Sequence, residues 1–163
     1  MFENSYKIRV SARAIVFNDD KVLLNRFGKG NYYNFPGGGI EKNENSRLTV
    51  VREVREETGL EVSAGEFVFA LEYEPLSSGY LYGDGHHISF FFRCYLQNGD
   101  KISTPELPDV APENPLMISQ PVWVPVSQIQ EIGLLPHINK NLVQYFKTGI
   151  FEPKFFNEPY ENI

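Results

Sequence analysis

A chain of 163 residues with 42% hydrophobic and 14% aromatic content carries enough apolar material for one packed core, which excludes a disordered or low-complexity polypeptide. The net charge of −6, without any basic run or arm, argues against nucleic-acid duplexes and anionic membranes as main partners. It leaves room for a phosphorylated small molecule whose charge is offset by bound cations. A lone cysteine, no basic-then-apolar leader and no membrane-length apolar run predict a reduced, cytoplasmic protein. The expected organisation is a single domain over residues 1–163, as a monomer or a homodimer.

Lys7 to Phe17 alternates loosely and is rich in Val, Ile and Ala, which predicts a strand. Asn18-Asp19-Asp20 is a turn signal, and Val22-Leu23-Leu24 opens the partner strand of a hairpin. Gly28 to Asn34 reads as a polar, aromatic loop. Pro36-Gly37-Gly38-Gly39 reads as backbone too flexible for a strand or helix interior, free to approach something closely. Asn45 to Thr58 predicts a helix, capped by Asn45 or Ser46, packed through Val50, Val51 and Val54, and closed by Gly59.

Glu61 to Glu74 and His86 to Gln97 predict long strands around a loop from Pro75 to Gly85. Cys94 lies in the apolar run FFFRCYL and reads as core rather than nucleophile. Thr104 to Pro121 is Pro-rich, acidic and aperiodic, the signature of a functional or connecting loop. Val122 to Val124 predicts a short strand, Val126 to Ile132 and Ile138 to Phe146 two helices, and the tail after Gly149 a segment packed on the body. The order of elements predicts the α+β class, with helices flanking a mixed sheet.

The chemistry concentrates in Gly38-Gly39-Ile40-Glu41-Lys42-Asn43-Glu44 and, seven residues on, Arg52-Glu53-Val54-Arg55-Glu56-Glu57-Thr58-Gly59-Leu60. On a helix Glu53 and Glu57 share a face and Arg52 reaches Glu56. Three carboxylates so close repel one another unless positive charge stands among them. Arg52 is one such charge; Mg²⁺ or Mn²⁺, which favour hard oxygen ligands, is the other. A generic acidic helix face is usually only solvated. This stretch, however, fits G-x5-E-x7-R-E-U-x-E-E-x-G-U (U apolar) at every specified position, a chance match on the order of 10⁻⁸ to 10⁻⁷ per chain.

On these residues, Gly38 to Leu60, the chain resembles the Nudix hydrolases. The resemblance implies a mixed sheet between helices and metal-dependent hydrolysis of a nucleoside diphosphate linked to another moiety, such as a nucleoside triphosphate, ADP-ribose or a dinucleoside polyphosphate. It implies Glu53, Glu56 and Glu57 as Mg²⁺ or Mn²⁺ ligands, with a backbone carbonyl near Gly37 or Gly38. Arg52 would hold the carboxylates, Glu44 would be an auxiliary acid, and Glu53 or a later acid would be the general base. A Nudix module that senses a nucleotide without turnover is the alternative; its cheapest signature, a lost box residue, is missing from this sequence.

Three positions depart from the usual pattern. Asn43 stands where glycine is common and tolerates a left-handed backbone. Thr49-Val50 replaces small residues and alters helix packing. No acid precedes Trp123 in Ile118-Ser119-Gln120-Pro121-Val122, which passes that role to Glu106, Asp109 or Glu113. Around the box, Arg26 is expected to contact phosphate, with Gly37 and Gly39 offering backbone to the substrate. Tyr33 and Phe35, along with Tyr32, are candidates for stacking on a base or ribose. Arg13, within an apolar strand, either lines the cleft or faces solvent. Pro75 occupies a position at which family members acting on ADP-ribose tend to carry proline.

Overall fold

The protein is seen here in a computed structural model that describes residues 6–28, 32–80, 83–103 and 119–158. Strand β1 (Ile8–Asn18) is the organising element. It turns through Asp19-Asp20 into β2 (Lys21–Phe27), with Asn18 facing Lys21, as the turn signal predicts. β3 (Tyr32–Asn34) and β4 (Gly37–Gly39) follow, then helix α1 (Ser46–Thr58). β5 (Val62–Tyr73) and β6 (His86–Leu96) are the two long strands. β7 (Ser119–Pro125), a 3-10 helix (Val126–Glu131), β8 (Gly133–Leu135), α2 (Asn139–Thr148) and β9 (Phe155–Asn157) complete the described chain.

The described strands link into one sheet with two arms. In one arm β4, β1, β6, β5 and β9 lie side by side, with β1 parallel to β6 and antiparallel to β4. In the other, β2 pairs with β7 and β3, and β3 runs parallel to β8. The alternation of β1 divides the interior. Ala12, Ala14 and Val16 meet Val50 and Val54 of α1 together with Phe92 and Cys94, whereas Ile15 joins a larger core containing Phe69, Phe91, Leu134 and Leu142. Burying each of the two α1 valines contributes about 1.5–3 kcal/mol, which fixes the helix over the first arm. In the larger core Phe69 stacks between Phe91 and Phe151, at 4.1 and 4.2 Å between ring centroids. No helix of the described residues is long and apolar enough to cross a membrane.

Helix α1 begins and ends where its sequence predicts. The Asn45 side chain accepts from the backbone N–H groups of Arg47 and Leu48 at 3.1 and 3.0 Å. Gly59 adopts φ 72° and its N–H donates to Arg55 O at 2.9 Å, a left-handed cap that suits glycine. Asn43 takes φ 70°, the left-handed conformation expected of it.

Two expectations are corrected and two are refined. Gly37–Gly39 is a strand, because β1 supplies the pairing that glycine cannot supply for itself: Ala14 N–H donates to Pro36 O at 2.8 Å and Ile40 N–H to Val10 O at 3.1 Å. Tyr32–Asn34, placed in a loop by its polarity, is held as a strand between β2 and β8. Val126–Glu131 winds as a 3-10 helix rather than an α-helix. The tail after Gly149 packs on the body as expected, but part of it does so as β9 along β5.

Candidate active site

Helix α1 lies against β4, and this contact assembles the box. Arg52 is its hub. Its Nε and Nη2 donate to the two carboxylate oxygens of Glu44 at 2.6 and 3.0 Å, a two-pronged grip. Nη1 donates to Glu53 Oε1 at 2.9 Å and to Glu56 Oε2 at 3.2 Å, and Nη2 also reaches Gly39 O at 3.3 Å. One guanidinium thus ties the loop before the helix to two carboxylates on it. Thr49, fully buried, donates its hydroxyl to Glu44 Oε2 at 2.9 Å, so the mid-helix departure from small residues serves to hold Glu44. These bonds, led by those from Arg52, hold the Glu44 carboxyl at about 2, and the same pairing raises Arg52.

Glu57 faces a different set of partners. Its Oε2 accepts from Asn25 Nδ2 at 2.9 Å and from the Gly37 N–H at 3.1 Å. Burial pushes its pKa up, and those two hydrogen bonds only partly offset this. Asn25 was not singled out from the sequence. A polar residue directly after Val22-Leu23-Leu24 is the signal that finds it, since a buried amide inside a strand needs a partner. Its Oδ1 is buried without a hydrogen-bond partner among the described residues.

β4 explains why glycines stand here. A methyl group on Gly38 would lie 2.6 Å from Cδ and 3.0 Å from Oε2 of Glu53, so only glycine lets that carboxylate rest against the strand. On the opposite side of β4, a methyl group on Gly37 would lie 2.7 Å from Cα of Arg13. Arg13 points into the cleft rather than to solvent, donating to Phe35 O at 2.8 Å. Burial lowers its pKa, opposed chiefly by the nearby Glu57 charge.

The donor set fits a hard divalent cation: the carboxylates of Glu53, Glu56 and Glu57 and the backbone oxygens of β4 are all oxygen ligands. The bare backbone of Gly38 lets the Glu53 carboxylate rest directly against β4, so that carboxylate and backbone oxygens stand close together. Among the described residues no three acidic, histidine or cysteine side chains converge into a preformed cage. Glu53 and Glu56 share Nη1 of Arg52 instead, and Glu57 faces Asn25 and Gly37. Glu56 is exposed, with 57% of its side chain open to solvent, so its rotation toward Glu53 meets little obstruction.

The structure therefore brings together Arg52, Glu44, Glu53, Glu56 and Gly39, and sets Glu57 beside Gly37. It does not bring Phe35 to a binding surface. That side chain is fully buried and meets Phe91 edge-on at 5.5 Å, so its assignment to base stacking is corrected: an aromatic ring beside the glycines serves the core. Tyr33 is half-buried against the same core, while Tyr32 is exposed. Arg26 is exposed and donates to Gln120 Oε1 at 3.3 Å. The adjacent residues His86 and His87 have different surroundings: His86 bonds Tyr6 and Glu72, the latter at 2.7 Å, and His87 faces the cleft. Glu106, Asp109 and Glu113 lie outside the described residues.

Comparison with known proteins agrees with this geometry. The NUDIX domain family matches residues 7–146. The CTP pyrophosphohydrolase of Escherichia coli (strain K12) is 37% identical over 65 residues, 37% of this chain and 48% of that protein, so the match spans about half of the relative's length. The uncharacterized Nudix hydrolase YvcI of Bacillus subtilis (strain 168) is 30% identical over 141 residues, covering 81% of this chain and 75% of that protein. Among solved structures, a Nudix hydrolase from Nitrosomonas europaea superposes with a TM-score of 0.63 at 20% identity, over 90% of this chain and 93% of that one, which shows a common fold. The chain belongs to the Nudix hydrolase family.

Proposed function

We propose that the protein hydrolyses a phosphoanhydride bond in a small molecule built on a nucleoside diphosphate. The observation that carries this reading is the packing of Glu53 against Gly38, with Arg52 bridging Glu44, Glu53 and Glu56 beside it. A divalent cation, Mg²⁺ or Mn²⁺, would be held by Glu53, Glu56 and Glu57 with the Gly38 carbonyl. When bound it neutralises the diphosphate and lowers the pKa of water. The family generally uses divalent metal ions.

The protein's own groups do the rest. Arg52 and Glu44 keep the helix carboxylates in register with β4. Glu53 takes the proton from the attacking water, whose oxygen bonds to one phosphorus as the bridging P–O bond breaks. The electron pair of that bond leaves with the second phosphate, giving a nucleoside monophosphate and a phosphorylated second product. Gly37, Gly39, Arg26 and Tyr33 are proposed to border the substrate. The pyrophosphohydrolase relative supports the reaction class.

The test is a panel of nucleoside triphosphates, ADP-ribose and dinucleoside polyphosphates, assayed with Mg²⁺ and with Mn²⁺ and with products identified. Release of a nucleoside monophosphate from one of them is the expected result. Binding without any turnover across the panel would replace hydrolysis by nucleotide sensing.

A further inference from the structure

Helix α1 covers only part of the sheet on its own side. Its valines meet the C-terminal halves of β1 and β6 through Ala12, Ala14, Val16, Phe92 and Cys94. The same alternation continues toward the N-termini of these strands as Val10 and Ile8 on β1 and as Phe90 and Ile88 on β6. On β5 the register adds Phe67 opposite Phe92 and Ala70 opposite Phe90, and β9 sets Phe155 beside Ala70. Phe67 meets Phe90 and Phe92 edge-on, at 6.4 and 5.9 Å between ring centroids. Ile8, Val10, Phe67 and Phe155 are between 36% and 54% exposed, so this half of the sheet face is open.

The open face has the size of one side of a dimer contact. Ile8, Val10, Phe67, Ile88, Phe90 and Phe155 together expose roughly 400 Å² of apolar surface, against about 150–250 Å² for one whole aromatic side chain. One partner in a standard contact contributes about 800 Å², of which roughly 450 Å² is apolar. Charge marks the two ends of the face. Arg47, at the start of α1, stands 5.0 Å over the Phe92 ring and donates to the Gly65 carbonyl. It is exposed and forms no ion pair among the described residues, whose ion pairs all involve Arg52, His86 or His137. Glu72 lies at the other end, opposite Ile88, where its Oε1 is 2.7 Å from His86 Nε2. The six apolar residues between these ends carry no charge.

We propose that this face binds a second copy of the chain about a two-fold axis near Phe90, with Phe67 and Phe90 packed on their counterparts. A symmetric contact sets a surface against itself after half a turn. Charges at its centre then meet their own kind, whereas charges at its ends change places. Here the centre is uncharged, and the half turn carries Arg47 to Glu72 of the second copy, twice in each dimer. An unrelated partner would not require both signs on one face in this self-complementary order. Such pairing requires no turnover and stands apart from the hydrolase reading.

The experiment is sedimentation velocity of the full chain across the micromolar range, with a thermal melt of each variant to confirm folding. A species of twice the chain mass should dominate at the upper end. Phe67→Glu, which sets like charges against each other at the centre, should leave a folded monomer. Phe155→Glu, at a more exposed position, should weaken the dimer in the same way if Phe67→Glu fails to fold. Arg47→Glu and Glu72→Arg should each raise the dimer Kd by about tenfold or more, because each turns two attractive pairs into repulsive ones. An equimolar mixture of these two variants should recover the wild-type Kd, since both of its mixed pairs again join opposite charges. A wild-type protein that stays monomeric throughout would overturn the proposal and leave the face to a different partner. A dimer that survives both phenylalanine variants would place the contact elsewhere. A mixture no stronger than its components would contradict the two-fold arrangement of Arg47 and Glu72.

Discussion

Gly38 and Glu53 occupy adjoining space: a methyl group on the glycine would lie 2.6 Å from the carboxylate carbon of the glutamate. Backbone and carboxylate can then serve one group only while position 38 has no side chain. Gly38→Ala should therefore push Glu53 aside and lower kcat by about a hundredfold, the scale on which an ångström of misplacement acts. Far-UV circular dichroism should be unchanged, because β4 is held by its pairing with β1. A fully active Gly38→Ala enzyme would show that this contact plays no part in turnover.

Arg52 supports the site through directional bonds as well as charge. It donates from three nitrogens to Glu44, Glu53, Glu56 and the Gly39 carbonyl. Lysine keeps the charge but has no planar fork and cannot span these groups together. Arg52→Lys should lower kcat by about tenfold or more while affecting melting temperature only slightly, since the helix remains packed through Val50 and Val54. Steady-state kinetics beside a thermal melt separates the two effects, and wild-type kcat in the variant would contradict the role given to the fork.

Acid should loosen the Glu44–Arg52 pair in a defined window. The Glu44 carboxyl is held at about 2, below its ordinary 4.5, mainly by hydrogen bonds from Arg52. A depressed carboxylate contributes stability that is fully present above its unfolded pKa and is lost as pH falls through the folded one. The denaturation midpoint should thus decline between 4.5 and about 2, and Glu44→Gln should flatten that part of the curve. Parallel acid curves for the two proteins would show that the pair contributes nothing to folding.

The box was legible because its residues act through helix spacing and fixed local geometry: Asn45, Gly59 and the i,i+4 pair of Arg52 with Glu56 are all where periodicity places them. The long strands and the β1–β2 hairpin were legible through alternation and the Asp19-Asp20 turn. What escaped depended on distant chain. Gly37–Gly39 has no strand propensity and is a strand only because β1 lies beside it. Phe35 looks like a binding aromatic by its neighbours in sequence, but Phe91, remote in the chain, encloses it. Arg9 and His87 become one surface only through the parallel register of β1 and β6. Pairing between strands far apart in sequence leaves no local signal.

The most direct test of the account is kcat for the wild-type and Glu53→Gln proteins, each stripped with EDTA and then titrated with Mg²⁺. The wild-type protein should be inactive when stripped and recover on titration. Glu53→Gln should remain at least about a hundredfold slower at saturating metal, with an unchanged or higher melting temperature. Turnover by the stripped wild-type protein, or a Glu53→Gln protein that matches it, would contradict a metal-assisted hydrolysis carried by this helix.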